Sequence, residues 1–163
     1  MPEVFATAIY RNTYQIINSY TMFSCRFSGN QVLREILQGS WKMGLQGPHH
    51  KWFLSAQPNG TAECNRERLQ GWETISVEFE GDRWIYLKSW HGKYLSAQPN
   101  GQLQWNRDKK LSWERFKVIY LGGNRIALKS SHGKYVSAQP DGRIEVNRRD
   151  LKPWEKFQVV KVY

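Results

Sequence analysis

The chain has 163 residues and a mass of 19.2 kDa, with 40% hydrophobic and 23% charged residues. That composition at that length suits one domain with a real core and excludes wholesale disorder. With 24 Lys+Arg against 14 Asp+Glu, the formal net charge is +10, which suits an acidic partner. No apolar run approaches the ~20 residues of a membrane helix, so no membrane insertion is expected. Met1-Pro2-Glu3-Val4 sets no basic region ahead of an apolar stretch, so no secretory leader is expected and a cytoplasmic location is. Two cysteines, Cys25 and Cys64, are too few for a disulfide framework, although a single bridge between them stays open.

Residues 1–40 read as an extension, either packed on the remainder of the chain or used to form a homodimer. Val4 to Phe27 is rich in Tyr, Phe, Ile and Thr, which favours strand. Ser28-Gly29-Asn30 then serves as a polar cap to a short helix that begins at Gln31 and stops at Gly39. Val32, Leu33, Ile36 and Leu37 share one face of it.

From Trp41 onward the chain repeats itself. Ser55-Ala56-Gln57-Pro58-Asn59-Gly60 recurs as Ser96-Ala97-Gln98-Pro99-Asn100-Gly101 and again as Ser137-Ala138-Gln139-Pro140-Asp141-Gly142. Asn65-Arg66, Asn106-Arg107 and Asn147-Arg148 keep the same step of 41, as do Trp72-Glu73, Trp113-Glu114 and Trp154-Glu155. The repeats are therefore 41–81, 82–122 and 123–163. In the second, Trp84–Lys88, Lys93–Ala97, Gln102–Trp105 and Trp113–Val118 read as four strands, separated by His-Gly and Pro-Asn-Gly turns. Three four-stranded units give twelve strands, the plan of a β-trefoil: a six-stranded barrel capped by three hairpins. The fold class is all-β.

The alternation Trp-x-x-Phe places Trp72, Trp113 and Trp154 in core layers together with Ile75, Phe116 and Phe157. Cys64 stands where the other units have Trp105 and Val146 and is expected to be a buried apolar residue. The Glu after each Trp points to the other face, within reach of a Lys. His50, His91 and His132 match across the units and close the first hairpin of each. No zinc spacing, no nucleophile–base order and no phosphate loop is present, so neither metal, cofactor nor catalysis is expected. Gln57, Gln98 and Gln139, and Asn65, Asn106 and Asn147, either hold turns by hydrogen bonds or, with the three histidines, form up to three equivalent sugar pockets.

The charge is not threefold. Residues 41–81 have 4 Lys+Arg against 5 Asp+Glu, whereas 82–122 have 8 against 3 and 123–163 have 9 against 4. The basic surface of the last two repeats comprises Lys88, Lys93, Arg107, Lys109, Lys110, Arg115, Lys129, Lys134, Arg148 and Arg149. Such a surface fits an acidic polymer: an actin filament, a heparin-like glycan or a nucleic acid.

His91-Gly92-Lys93-Tyr94-Leu95-Ser96-Ala97, Asn100-Gly101, Asn106-Arg107-Asp108 and Trp113-Glu114-Arg115-Phe116 resemble the repeats of fascin-like β-trefoils, the fascin and hisactophilin type. The third unit matches through His132–Ala138, Asp141-Gly142, Asn147–Asp150 and Trp154–Phe157. The first departs, with Pro48-His49-His50-Lys51-Trp52-Phe53 in place of a Gly-Lys-Tyr turn and Trp72-Glu73-Thr74-Ile75 in place of a final Phe. The resemblance covers about residues 41–163 and implies a non-enzymatic protein that binds F-actin, and bundles it if the extension dimerises the chain. A multivalent trefoil lectin is the alternative.

Overall fold

The computed structural model of the protein describes residues 27–163, in which all regular structure is β apart from one helix and three 3-10 turns. The strand reading of Val4–Phe27 lies outside that range except for Phe27, which is exposed and in no strand. Helix α1 spans Gly29–Ile36, starting and ending earlier than its sequence suggests. The reason is Ser28, whose hydroxyl accepts the Gln31 N–H (3.1 Å) while the Gln31 side chain accepts the Ser28 N–H (2.7 Å), a reciprocal cap. Leu37 closes the helix, and Leu33 and Leu37 have no solvent exposure. They belong to the same apolar cluster as Met43, Leu45, Ile85 and Phe116.

Twelve strands follow. The first four are β1 (Lys42–Gln46), β2 (Phe53–Ala56), β3 (Ala62–Arg66) and β4 (Ile75–Glu80). The next four are β5 (Trp84–Lys88), β6 (Tyr94–Ala97), β7 (Leu103–Arg107) and β8 (Phe116–Tyr120). The last are β9 (Arg125–Ser130), β10 (Tyr135–Ala138), β11 (Ile144–Arg148) and β12 (Phe157–Lys161). All pairings are antiparallel, and six of the strands return on themselves in the order β1–β4–β5–β8–β9–β12–β1. The hairpins β2–β3, β6–β7 and β10–β11 stand off this ring. They meet one another through the bridges Thr61↔Gln104, Gln102↔Glu145 and Glu63↔Arg143. The carbonyls of Gly60, Gly101 and Gly142 accept from Trp105, Val146 and Cys64 at 2.7–2.8 Å, tying each hairpin to the next. A side chain at these glycines would be strained, since φ is about +91° at each, and a Cβ on Gly142 would in addition sit 2.9 Å from Asn65 Cβ.

One difference from the sequence reading concerns register. Lys88 pairs with Tyr94 and Lys129 with Tyr135, but Gln46 pairs with Phe53, so the first turn carries one residue more. His50 and Lys51 absorb it in the left-handed region, at φ 52° and 56°. Before that turn the first repeat therefore matches the second at a step of 42, which aligns Met43 with Ile85 and Leu45 with Leu87. His49, not His50, is then the counterpart of His91 and His132.

The tryptophans are a second correction. Trp72, Trp113 and Trp154 lie on the 3-10 turns and are 39%, 38% and 37% exposed, whereas Ile75, Phe116 and Phe157 are buried as expected. The turn breaks the alternation of a strand, and the residue it buries is the glutamate. Glu73, Glu114 and Glu155 are 2–4% exposed, so the glutamates do not point outward to a Lys.

Candidate functional site

Each buried glutamate ends the same chain of hydrogen bonds. Ser55, Ser96 and Ser137 donate to Glu73, Glu114 and Glu155 at 2.6–2.7 Å. The other carboxylate oxygen accepts the backbone N–H of Gln70, Leu111 or Lys152 at 3.0–3.1 Å. Gln57, Gln98 and Gln139 donate to the serine hydroxyls (2.9–3.2 Å) and accept from Arg66, Arg107 and Arg148 (3.3–3.4 Å). A surface guanidinium is thus linked through two neutral groups to a buried carboxylate, which satisfies a charge that burial would otherwise penalise.

The other residues read as sugar-binding lie elsewhere. His91 and His132 lie at the joints between repeats, with Nε2 3.2 Å and 3.0 Å from the carbonyl oxygens of Ala56 and Ala97. Because a carbonyl only accepts, Nε2 carries the proton. Their rings lie 5.8 Å from those of Trp72 and Trp113, and His49 packs edge-on against Trp154 at 5.1 Å. His50 instead stacks on Trp52. Asn65, Asn106 and Asn147 line a polar basin of about 560 Å³ where the three hairpins meet, donating to Glu63, Gln104 and Glu145 at 2.8–2.9 Å. His, Gln and Asn of one repeat therefore occupy three separate places. Cys64 is buried beneath this basin, and burial pushes its thiol up to about 11; Cys25 lies outside the described residues. Among the described residues no group of three or more His, Cys, Asp or Glu could hold a metal ion.

The cations of the last two repeats are arranged by strand pairing. Side chains directly opposite across antiparallel strands share a face. One row runs Ser76–Lys88–Tyr94–Arg107 over β4–β5–β6–β7. The next runs Lys117–Lys129–Tyr135–Arg148 over β8–β9–β10–β11. The first repeat's row, Gln158–Gln46–Phe53–Arg66, has one cation. Lys88 and Lys129 reach over Tyr94 and Tyr135 at 5.2 Å and 5.3 Å. Arg115 covers Trp84 at 4.9 Å. Lys109, Lys134 and Arg149 form no ion pair among the described residues.

Carboxylates temper the row of the second repeat. Lys93 pairs with Asp108, and that bond holds the Asp108 carboxyl below its ordinary value. Glu78 accepts from Lys110 (2.9 Å) and from the Tyr94 hydroxyl (2.9 Å). Burial pushes the Glu78 carboxyl up, but Lys110 and Tyr94 outweigh it and the net direction is down. Burial, and then the Glu80 carboxylate beside it, push the Tyr86 hydroxyl up to about 12. The sequence reading puts Lys93 and Lys110 on the free basic surface, whereas Asp108 and Glu78 hold them. Stepping by 41 shows that the third repeat lacks these carboxylates, since Asp108 becomes Arg149 and Glu78 becomes Ile119, while Ser76 becomes Lys117.

The chain is thus an all-β scaffold that repeats its hairpins and glutamate relays three times, with its cations gathered on two repeats. The fascin domain matches residues 49–159, well over half of the chain, and the protein belongs to the fascin-domain family. A sequence comparison with curated proteins returned no match. No helix among the described residues is long and apolar enough to cross a membrane.

Proposed function

We propose that this protein is a β-trefoil that binds F-actin through the basic face of its second and third repeats, without catalysing a reaction. Membership of the fascin-domain family carries the reading. The two rows of cations support it, because an acidic filament is the partner they fit. The surface comprises Lys88, Lys109, Lys129, Lys134 and Arg149, with Arg107 and Arg148 also serving the relays. A cytoplasmic location follows from the partner. Bundling requires two filament sites, and pairing of two copies through residues 1–40 is the route we propose.

The rival is a lectin, favoured by the half-exposed Trp72 and Trp113 beside His91 and His132. Co-sedimentation with F-actin separates the two. Pelleting should fall steeply between ~50 and ~200 mM salt, the range in which exposed charges ~8–10 Å apart become screened. It should ignore free monosaccharides. Failure to pellet with actin, together with salt-tolerant, sugar-inhibited binding to a glycan, would displace the actin reading.

A further inference from the structure

We propose that the third repeat contains a binding site for a compact, multiply phosphorylated anion, which the second repeat lacks. The argument compares two rows that pairing makes equivalent. Around Tyr94 the cations Lys93 and Lys110 are held by Asp108 and Glu78, and the Tyr94 hydroxyl also donates to Glu78. Around Tyr135 every one of those acceptors is gone, replaced by Arg149 and Ile119. Lys134 and Arg149 stand one residue beyond the Tyr135–Arg148 pair, just outside β10 and β11, at the positions where the second repeat has its Lys93–Asp108 ion pair. Lys117 stands directly opposite Lys129, where the second repeat has Ser76 opposite Lys88.

Lys117 opposite Lys129 is a like-charged cross-strand pair, which is unfavourable and is relieved by an anion that bridges it. Asp150, the nearest carboxylate in sequence, makes no ion pair among the described residues. The row crosses four strands, about 14 Å at ~4.8 Å per strand, so several charges on one ligand are needed to engage it. A phosphate ester brings close to two charges and three acceptor oxygens per group, against one charge on a carboxylate, and so matches the three cations of the row, Lys117, Lys129 and Arg148, with Lys134 and Arg149 at the end of the same hairpin. Lys117, Arg148 and Arg149 are exposed, and Lys129, Lys134 and Tyr135 are half-exposed, so the face is open to such a ligand.

The site shares Lys129, Lys134, Arg148 and Arg149 with the proposed filament surface but does not require that reading, and its test contains no actin. Inositol hexakisphosphate is titrated into the full chain at ~100 mM salt by calorimetry, with vesicles carrying a phosphorylated headgroup as a second arm to separate a soluble ligand from a lipid. The variant Lys117→Ser/Arg149→Asp gives the third repeat the residues the second already tolerates. Lys42→Ser/Arg68→Asp removes the same charge from the first repeat. Binding of one equivalent is expected, weakened about tenfold or more by the first pair and about twofold or less by the second. Absence of binding, equal loss in both variants, or equally tight, equally sensitive binding of polyglutamate would overturn the proposal.

Discussion

Ser55, Ser96 and Ser137 show how much a single hydroxyl decides in this protein. Each gives a buried glutamate one of its hydrogen bonds, and among the described residues no other donor reaches that carboxylate oxygen. Ser96→Ala should therefore cost about 1–3 kcal/mol, the usual penalty for leaving a buried polar group short of a partner, read as a lower denaturant midpoint. Phe116, fully buried, should cost about 3–5 kcal/mol on truncation to Ala, whereas Trp113, 38% exposed, should cost roughly 1–2 kcal/mol. A larger loss at Trp113 than at Phe116 would contradict the burial described. The sequence marks Trp113-Glu114 as a repeated pair but not which member faces inward. Period-two reading puts the tryptophan in the core, because nothing in the pattern announces a 3-10 turn that swaps the two. Glu78 adds a pH dependence. Its pKa is lowered on folding, so its contribution is complete above its unfolded value near 4.5 and is lost as pH falls through the lower folded value. Glu78→Gln should accordingly flatten the acid limb of a stability–pH curve below about pH 4.5; an unchanged acid limb would contradict the Lys110–Tyr94 contacts.

At the level of elements, α1 is joined closely to the strands. Asn30 donates to the carbonyls of Gly81 and Trp84 at 3.1 Å and 3.0 Å, and Arg34 lies over the Phe79 ring at 4.3 Å. A Cβ on Gly29 would come within 2.1 Å of the Val118 carbonyl oxygen in β8. In an open helix Gly→Ala stabilises by roughly 0.5–1 kcal/mol. Gly29→Ala should reverse that sign and lower the melting temperature, because backbone meets backbone and neither can turn aside; a raised melting temperature would mean that α1 does not sit on β8. The helix was legible from its apolar face, but its contact with β8 was not, since no sequence pattern names the partner of an amphipathic face. The twelve strands were legible for the opposite reason, because a repeat read three times cancels local ambiguity. The first turn escaped it: a constant step of 41 conceals one added residue when Phe53 to Tyr163 all obey that step. The cost was the exchange of His49 for His50.

Across the molecule the charge is distributed by repeat, while the scaffold is threefold. The relays, the glycine carbonyls and the hairpin bridges need the same residues in every unit, so they recur. The surface is free of that demand, and there Glu78, Asp108 and Ser76 become Ile119, Arg149 and Lys117. Totals of charge per repeat were readable from the sequence. The division of those cations among relays, ion pairs and open solvent was not, because it depends on which strands lie opposite. It also sets how the filament reading is tested: Arg107 and Arg148 hold the glutamate relays, so reversing them confounds binding with folding. The most direct measurement is co-sedimentation with F-actin at low salt for Lys109→Glu/Lys134→Glu/Arg149→Glu, beside Lys42→Glu/Lys51→Glu/Arg68→Glu in the first repeat. The first triple variant should lose pelleting while keeping the wild-type melting temperature within a few degrees, at roughly 0.5 kcal/mol or less per surface change, and the second should retain most of it. Equal loss in the two, or a wild-type chain that stays in the supernatant, would contradict the account.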